Sequence, residues 1–238
     1  MNATPTAPPA RTPVHPTRKP RRAWLVLLAT IIVGLVIDLG SKAAAFRYIA
    51  DAPVVVDRAQ VMRANHPSAL IPAHEPVRIV PHVLEFTLVL NPGAVFGIGA
   101  GRRGVFMLFT GVAMVFAMML FVRWTTARDT LSHAAVGLLV SGGLGNLYDR
   151  LVYACVRDFI HPLPGVVLPG GLEWPWGGRE VWPYVSNIAD LFLIIGIGAL
   201  IWRTLRPIGD DRPAPAEPAG AADGPGSQTG SGSQAGAG

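Results

Sequence analysis

The sequence predicts a membrane protein with an all-α core: four transmembrane helices with a small β subdomain and an irregular loop on the outer side. Three observations predict it. Of the 238 residues 50% are hydrophobic and only 15% charged, with a mean hydropathy of +0.40, which does not fit an ordinary soluble domain. The apolar residues fall into Trp24–Phe46, Val105–Val122, Leu131–Leu147 and about Trp182–Trp202, each close to the ~20 residues that cross a ~30 Å hydrocarbon core. The ends, rich in Pro, Thr, Gly, Ala and Ser, have almost nothing to bury and are expected to be disordered.

Charge follows position. Lys and Arg outnumber Asp and Glu by 20 to 15, but Arg11, Arg18, Lys19, Arg21 and Arg22 precede the first apolar run, where they hold a chain to anionic lipid rather than to nucleic acid. The expected division is a basic cytoplasmic tail over 1–22, a membrane domain over 23–206 and a second cytoplasmic tail over 207–238. The first apolar stretch resembles a removable signal peptide in its order of basic, apolar and small residues. Asp38 and Lys42 sit where a cleavage region is usually neutral, which favours an uncleaved helix. Arg123 and Arg128 after the second stretch, with Arg203 and Arg206 after the fourth, place both termini in the cytoplasm. Arg102 and Arg103 break that pattern from the end of a long connection.

The first outer segment, about 47–103, carries β-branched runs at Pro53–Val56 and Val77–Leu90, expected to form short surface strands. The second, about 152–181, is crowded with Pro and Gly and predicts no long regular element. Its tryptophans suit the headgroup layer. Cys155, the single cysteine, excludes an intramolecular disulfide framework and a multi-cysteine metal site. The six histidines have no paired ligand spacing, and no Walker, Rossmann or Gly-x-Ser-x-Gly pattern occurs. Neither metal nor cofactor is expected.

Four alternating spans bring the unusual polar residues to one layer near the outer leaflet: Asp38, Lys42, Asn91, Asn146, Asp149, Arg150, Asp158 and Asp190. Ionisable groups at that depth are costly, so each is a functional candidate, with structural pairing as the competing explanation. Asp38 and Lys42, four apart with the acid first, read alone as a structural ion pair. Asn146, Asp149 and Arg150 share a helix end, which a cap or a snorkelling arginine also explains. Gly137, Ser141 and Gly145 form a small-residue packing seam, widened by Gly142 and Gly143. Asp158 and Asp190 have no helical cation partner, and Arg157 points away from Asp158 on any regular element. Two such carboxylates sharing a proton are the machinery of an aspartic protease. A non-enzymatic membrane scaffold or lipid-binding protein with a structural polar layer is the alternative, and a transporter ranks third.

Five blocks resemble the lipoprotein signal peptidase family, the bacterial signal peptidase II. They are Asp38-Leu39-Gly40-Ser41-Lys42, Asn91-Pro92-Gly93-Ala94-Val95-Phe96, Gly142 through Arg150, Val156-Arg157-Asp158-Phe159 and Asn187-Ile188-Ala189-Asp190. The resemblance implies a four-helix membrane fold with a small extracytoplasmic β-cradle and an outer loop over the site, and a metal-free aspartic endopeptidase of the bacterial inner membrane. Its implied substrate is a diacylglyceryl-modified prolipoprotein, cut on the N-terminal side of the lipidated cysteine. By matched position Asp158 and Asp190 are the implied catalytic dyad. Asp38, Lys42, Asn91, Gly93, Ala94, Gly142, Gly145, Asn146, Arg150, Asn187 and Ala189 are implied to bind substrate or shape the site, with Asp149 holding it together. Membrane phospholipids and globomycin-like inhibitors are the other implied partners. Leu39, Val95 and Ser186 depart from residues common in the family, and the 161–184 segment is longer than the family needs.

Overall fold

The computed structural model describes residues 19–93, 103–175 and 177–205, so the expectations for 1–18, for 207–238 and for Ala94 lie outside the described residues, while Arg21 and Arg22, expected in the first tail, are helical. In chain order the elements are α1 (Arg21–Tyr48), α2 (Arg58–Arg63), β1 (Val77–Val80), β2 (Leu84–Asn91), α3 (Arg103–Trp124), α4 (Thr130–Val152), β3 (Val156–Pro162) and α5 (Ile188–Leu205). Three helices, α1, α3 from Gly104 and α5, are long and apolar enough to cross a membrane. The fourth long helix, α4, is the most buried, because α1, α3 and α5 all pack against it.

Small residues on α4 permit that arrangement. A Cβ at Gly137 would meet Thr30 and the Leu27 carbonyl of α1, one at Gly142 the Ala189 carbonyl of α5, and one at Gly143 the Met114 side chain of α3. The expected seam is therefore real, and its glycines face three partners rather than one. Bare backbone brings helices close enough for dispersion contact where burial from water supplies little drive. At the end of the bundle away from β3, Lys19 donates to the Thr125 carbonyl oxygen and Arg203 pairs with Asp129 at 3.1 Å. Asp129 also caps α4 through the Ser132 N–H at 3.1 Å.

Several boundaries correct the sequence reading. The third helix continues past Leu147 to Val152, so Asn146, Asp149 and Arg150 belong to its final turns. The fourth starts at Ile188 rather than Trp182. Pro183 favours extended backbone before it, and Asn187 supplies the cap. Residues 53–56 form no strand, and 77–90 is two strands. The second outer segment contains an unforeseen strand, β3.

The sheet has the order β1-β2-β3 and is antiparallel throughout. Its register pairs Val89 with Asp158 and Asn91 with Val156. Ser186 extends the far side of β3, exchanging backbone hydrogen bonds with Ile160 at 2.8 Å in both directions. A core of Phe46, Val61, Leu88, Leu90, Cys155 and Phe159 fastens the sheet to the end of α1. Each large side chain buried there contributes about 1.5–3 kcal/mol. The loop after β3 doubles back as a short ladder, with Leu168 N–H donating to the Arg179 carbonyl and Val181 N–H to Val166, both at 2.7 Å.

Candidate active site

Asp158, on β3, and Asp190, in the first turn of α5, are brought together by the residue between those elements, Asn187. Its side-chain amide donates to Asp158 Oδ1 at 2.6 Å, and its Oδ1 accepts the Asp190 N–H at 3.2 Å. Its own N–H donates to Asp190 Oδ2 at 3.3 Å. Asn187 and Asp190 thus form a reciprocal cap that satisfies exposed donors of the helix start and fixes the carboxylate against its own backbone. The second oxygen of each acid has a separate asparagine. Asn91 Nδ2 donates to Asp158 Oδ2 at 3.0 Å, and Asn146 Nδ2 to Asp190 Oδ1 at 2.8 Å.

Behind the pair stands a buried ionic network. Lys42 directs its ammonium to Asp38 Oδ2 at 2.9 Å, to Asn146 Oδ1 at 3.0 Å and to Asp149 Oδ2 at 3.5 Å. Asp38, Lys42 and Asp149 are each 0% exposed. Charges so placed persist only when paired and hydrogen-bonded, and removing one partner of such a set costs about 3–5 kcal/mol. Asp149 completes the set by accepting from Arg157 Nη2 at 2.8 Å and from the Arg157 N–H at 3.0 Å. Asp38 Oδ1 accepts the Ala189 N–H at 2.9 Å, tying α1 to the start of α5 and giving Ala189 its part through its backbone.

The expected i,i+4 pair of Asp38 and Lys42 is present, but it is one edge of a network that reaches Asp190 through Asn146. Arg157 does point away from Asp158, as the alternation of a strand requires. Its importance as the partner of Asp149 was missed; the signal was a buried acid eight residues upstream that lacked its full complement of donors.

Burial pushes the Asp158 carboxyl up, and the nearby Asp190 carboxylate adds to the rise; the Asn187 and Asn91 hydrogen bonds and the Lys42 charge oppose it, leaving it at about 7. An acid at that value exchanges its proton in the neutral range, as proton-transfer chemistry requires.

The remaining predicted residues shape the surroundings. Gly93 has φ +100° and donates its N–H to Asn91 Oδ1 at 2.9 Å. A Cβ there would be strained and would lie 2.9 Å from the Phe106 ring. Gly145 is needed because a Cβ would overlap Asp38 Oδ2. Arg150 donates to the Asn146 carbonyl at 3.2 Å and lies 5.8 Å from the Phe106 ring centroid. Asp190, Asn146 and Arg150 also close one end of a groove of about 530 Å³ between α3, α4 and α5, whose walls include Phe109, Ala113, Leu193, Ile197 and Ile201. The arrangement can hold an extended apolar chain with its polar end at the two carboxyls.

Residues 30–206 match the family described as signal peptidase (SPase) II. The chain is 32% identical over 128 residues to a lipoprotein signal peptidase of Desulfitobacterium hafniense, covering 53% of this chain and 72% of that protein. To the lipoprotein signal peptidase of Bifidobacterium longum it is 34% identical over 157 residues, covering 66% and 76%. A solved bacterial membrane enzyme shares the fold with a TM-score of 0.51 at 21% identity, over 75% of this chain and 87% of the other.

Proposed function

The chain belongs to the signal peptidase II family, and from that premise we propose that it is an aspartic endopeptidase whose dyad is Asp158 and Asp190. Its function is the removal of signal peptides from prolipoproteins. The observation that carries the aspartic assignment is the pair itself: two carboxyls held by one asparagine, Asn187, with one of them driven to about 7. In the reaction, one carboxylate takes a proton from water as its oxygen attacks the scissile carbonyl carbon. The other, protonated, donates to the carbonyl oxygen. Collapse of the tetrahedral intermediate returns the oxygen-bound proton to the second carboxylate and breaks the C–N bond, and the leaving nitrogen takes the proton that the first carboxylate removed from water.

The substrate is a prolipoprotein carrying diacylglycerol on its cysteine, cut N-terminal to that residue. The apolar groove receives the signal peptide, so that the scissile bond meets Asp190 at the groove's polar end. Asn91, Asn146 and Asn187 orient the acids; Arg150 and Gly93 border the substrate, and Ala94 follows Gly93 in sequence. Asp38, Lys42, Asp149, Gly142, Gly145 and Ala189 keep α1, α4 and α5 in register. A globomycin-like peptide would compete for the same groove.

The protein lies in the bacterial inner membrane. We take α4 as the fourth span, its polarity tolerated because its neighbours shield it from lipid. Both termini are then cytoplasmic, and the membrane domain runs over 23–206 between its two tails. The sheet forms an extracytoplasmic cradle, with the 161–184 loop above the site and phospholipid around the bundle. Purified protein given a lipidated precursor and its unlipidated twin tests the reading. Cleavage of the lipidated form alone is expected, and cleavage of neither ends it.

A further inference from the structure

A second cavity, of about 320 Å³, lies outside the proposed active site, between the last turn of α1, the extended 53–56 segment and the start of β3. Its size is at the lower end of small-ligand sites. Two arginines, Arg47 and Arg157, line it with Phe46, Tyr153 and Ala43. The Arg157 side chain is only 8% exposed. Its Nε and Nη2 are committed to Asp149 and its guanidinium lies 4.3 Å from the Tyr153 ring centroid. No protein hydrogen bond holds its Nη1 among the described residues. Arg47 stacks at 5.6 Å on Tyr48 and has no carboxylate within salt-bridge distance among the described residues. Asp51, a few residues on, does not line the cavity.

We propose that this cavity binds the phosphate of an anionic phospholipid headgroup, held between Arg47 and the open edge of Arg157. A guanidinium presents paired donors that match phosphate oxygens. The position suits a lipid rather than a free anion. Arg47 ends a candidate membrane span, which puts the cavity at headgroup depth, and Phe46 and Ala43 continue from it down α1 as an apolar bed for the glycerol and first methylenes. The site is also connected to the acids. Arg157 holds Asp149, Asp149 faces Lys42, and Lys42 bonds the Asn146 that donates to Asp190. A bound headgroup therefore braces the far end of that chain.

The test uses the full chain in phosphatidylcholine vesicles containing graded phosphatidylglycerol, with thermal midpoint as the readout, which needs no turnover. The midpoint of the wild type should rise by ~3 °C or more as the anionic lipid saturates the site. Arg47→Gln should need about tenfold more phosphatidylglycerol for the same rise, while keeping its processing rate in pure phosphatidylcholine. Arg63→Gln, which removes the same charge from an exposed position on α2, should follow the wild type. Equal losses in Arg47→Gln and Arg63→Gln would reveal bulk surface charge and overturn the site. So would an equal rise with inorganic phosphate alone, or no response to phosphatidylglycerol.

Discussion

Asn187 and Asp190 cap one another: the Asn187 side-chain oxygen accepts the Asp190 N–H at 3.2 Å while Asp190 Oδ2 accepts the Asn187 N–H at 3.3 Å. The geometry of an acid proposed to do chemistry is thereby set by the start of α5, a rigid element, rather than by loop conformation. The same asparagine reaches Asp158, so one residue fixes the spacing of both carboxyls.

Asp158→Asn and Asp190→Asn are each expected to leave the protein inserted and folded while lowering processing by about a thousandfold, since each removes a proton-transfer group. The measurement is accumulation of uncleaved lipidated precursor beside a thermal midpoint. Normal processing by both single variants would remove them from the mechanism.

The pH dependence has a defined sign. With its carboxyl at about 7 rather than the ordinary 3.8, native Asp158 keeps a proton that the unfolded chain has lost between those values. Stability should fall as pH rises through that window and level off above about 7. Activity should also decline above about 7, where Asp158 gives up the proton that an acid in the mechanism must donate. Thermal midpoints and kcat/KM measured across the neutral range check both, and the stability slope should flatten in Asp158→Asn.

Lys42→Met leaves Asp38 and Asp149 buried with one cation fewer between them. A loss of about 3–5 kcal/mol is expected, visible as a lower thermal midpoint and rapid proteolysis. A midpoint within a degree or so of the wild type would show that the network contributes little to stability.

Ala113→Trp fills the groove from α3 without touching the acids. KM for the lipidated precursor should rise several-fold with kcat and thermal midpoint nearly unchanged, because a blocked apolar wall weakens ground-state and transition-state binding alike. An unchanged KM would place the signal peptide elsewhere.

Gly145→Val drives a side chain into Asp38 Oδ2 and should break the Asp38 bond to the Ala189 N–H. Loss of folded protein is expected, and Gly145→Ala, whose Cβ alone already meets Asp38 Oδ2, should also lower the thermal midpoint, by less, with reduced processing.

Much of this was legible in the sequence because lipid is a severe solvent. Apolar runs of span length stand out in α1, α3 and α5, and charged groups inside or beside them, such as Lys42 and Asp190, are few enough to be suspected singly. The strand β3 was hidden because Val156–Pro162 mixes Arg, Asp and His with its apolar residues; its pattern makes sense only once Arg157 and Asp158 are seen to serve opposite faces. Helix starts were also displaced. Trp182 and Val185 look like the head of a span, yet Pro183 and the Asn187 cap postpone the first turn to Ile188. The Lys42–Asn146–Asp190 relay joins residues more than a hundred positions apart, and local spacing cannot specify such a link.

The polarity of α4 bears on biogenesis. Twelve of its residues are shielded by the rest of the protein, among them Ser132, His133, Ser141, Asn146 and Asp149. Such a segment partitions poorly into hydrocarbon by itself. As the proposed fourth span, α4 would then enter the bilayer as a collective step, received by α1 and α3, already translated, with α5 arriving last against it.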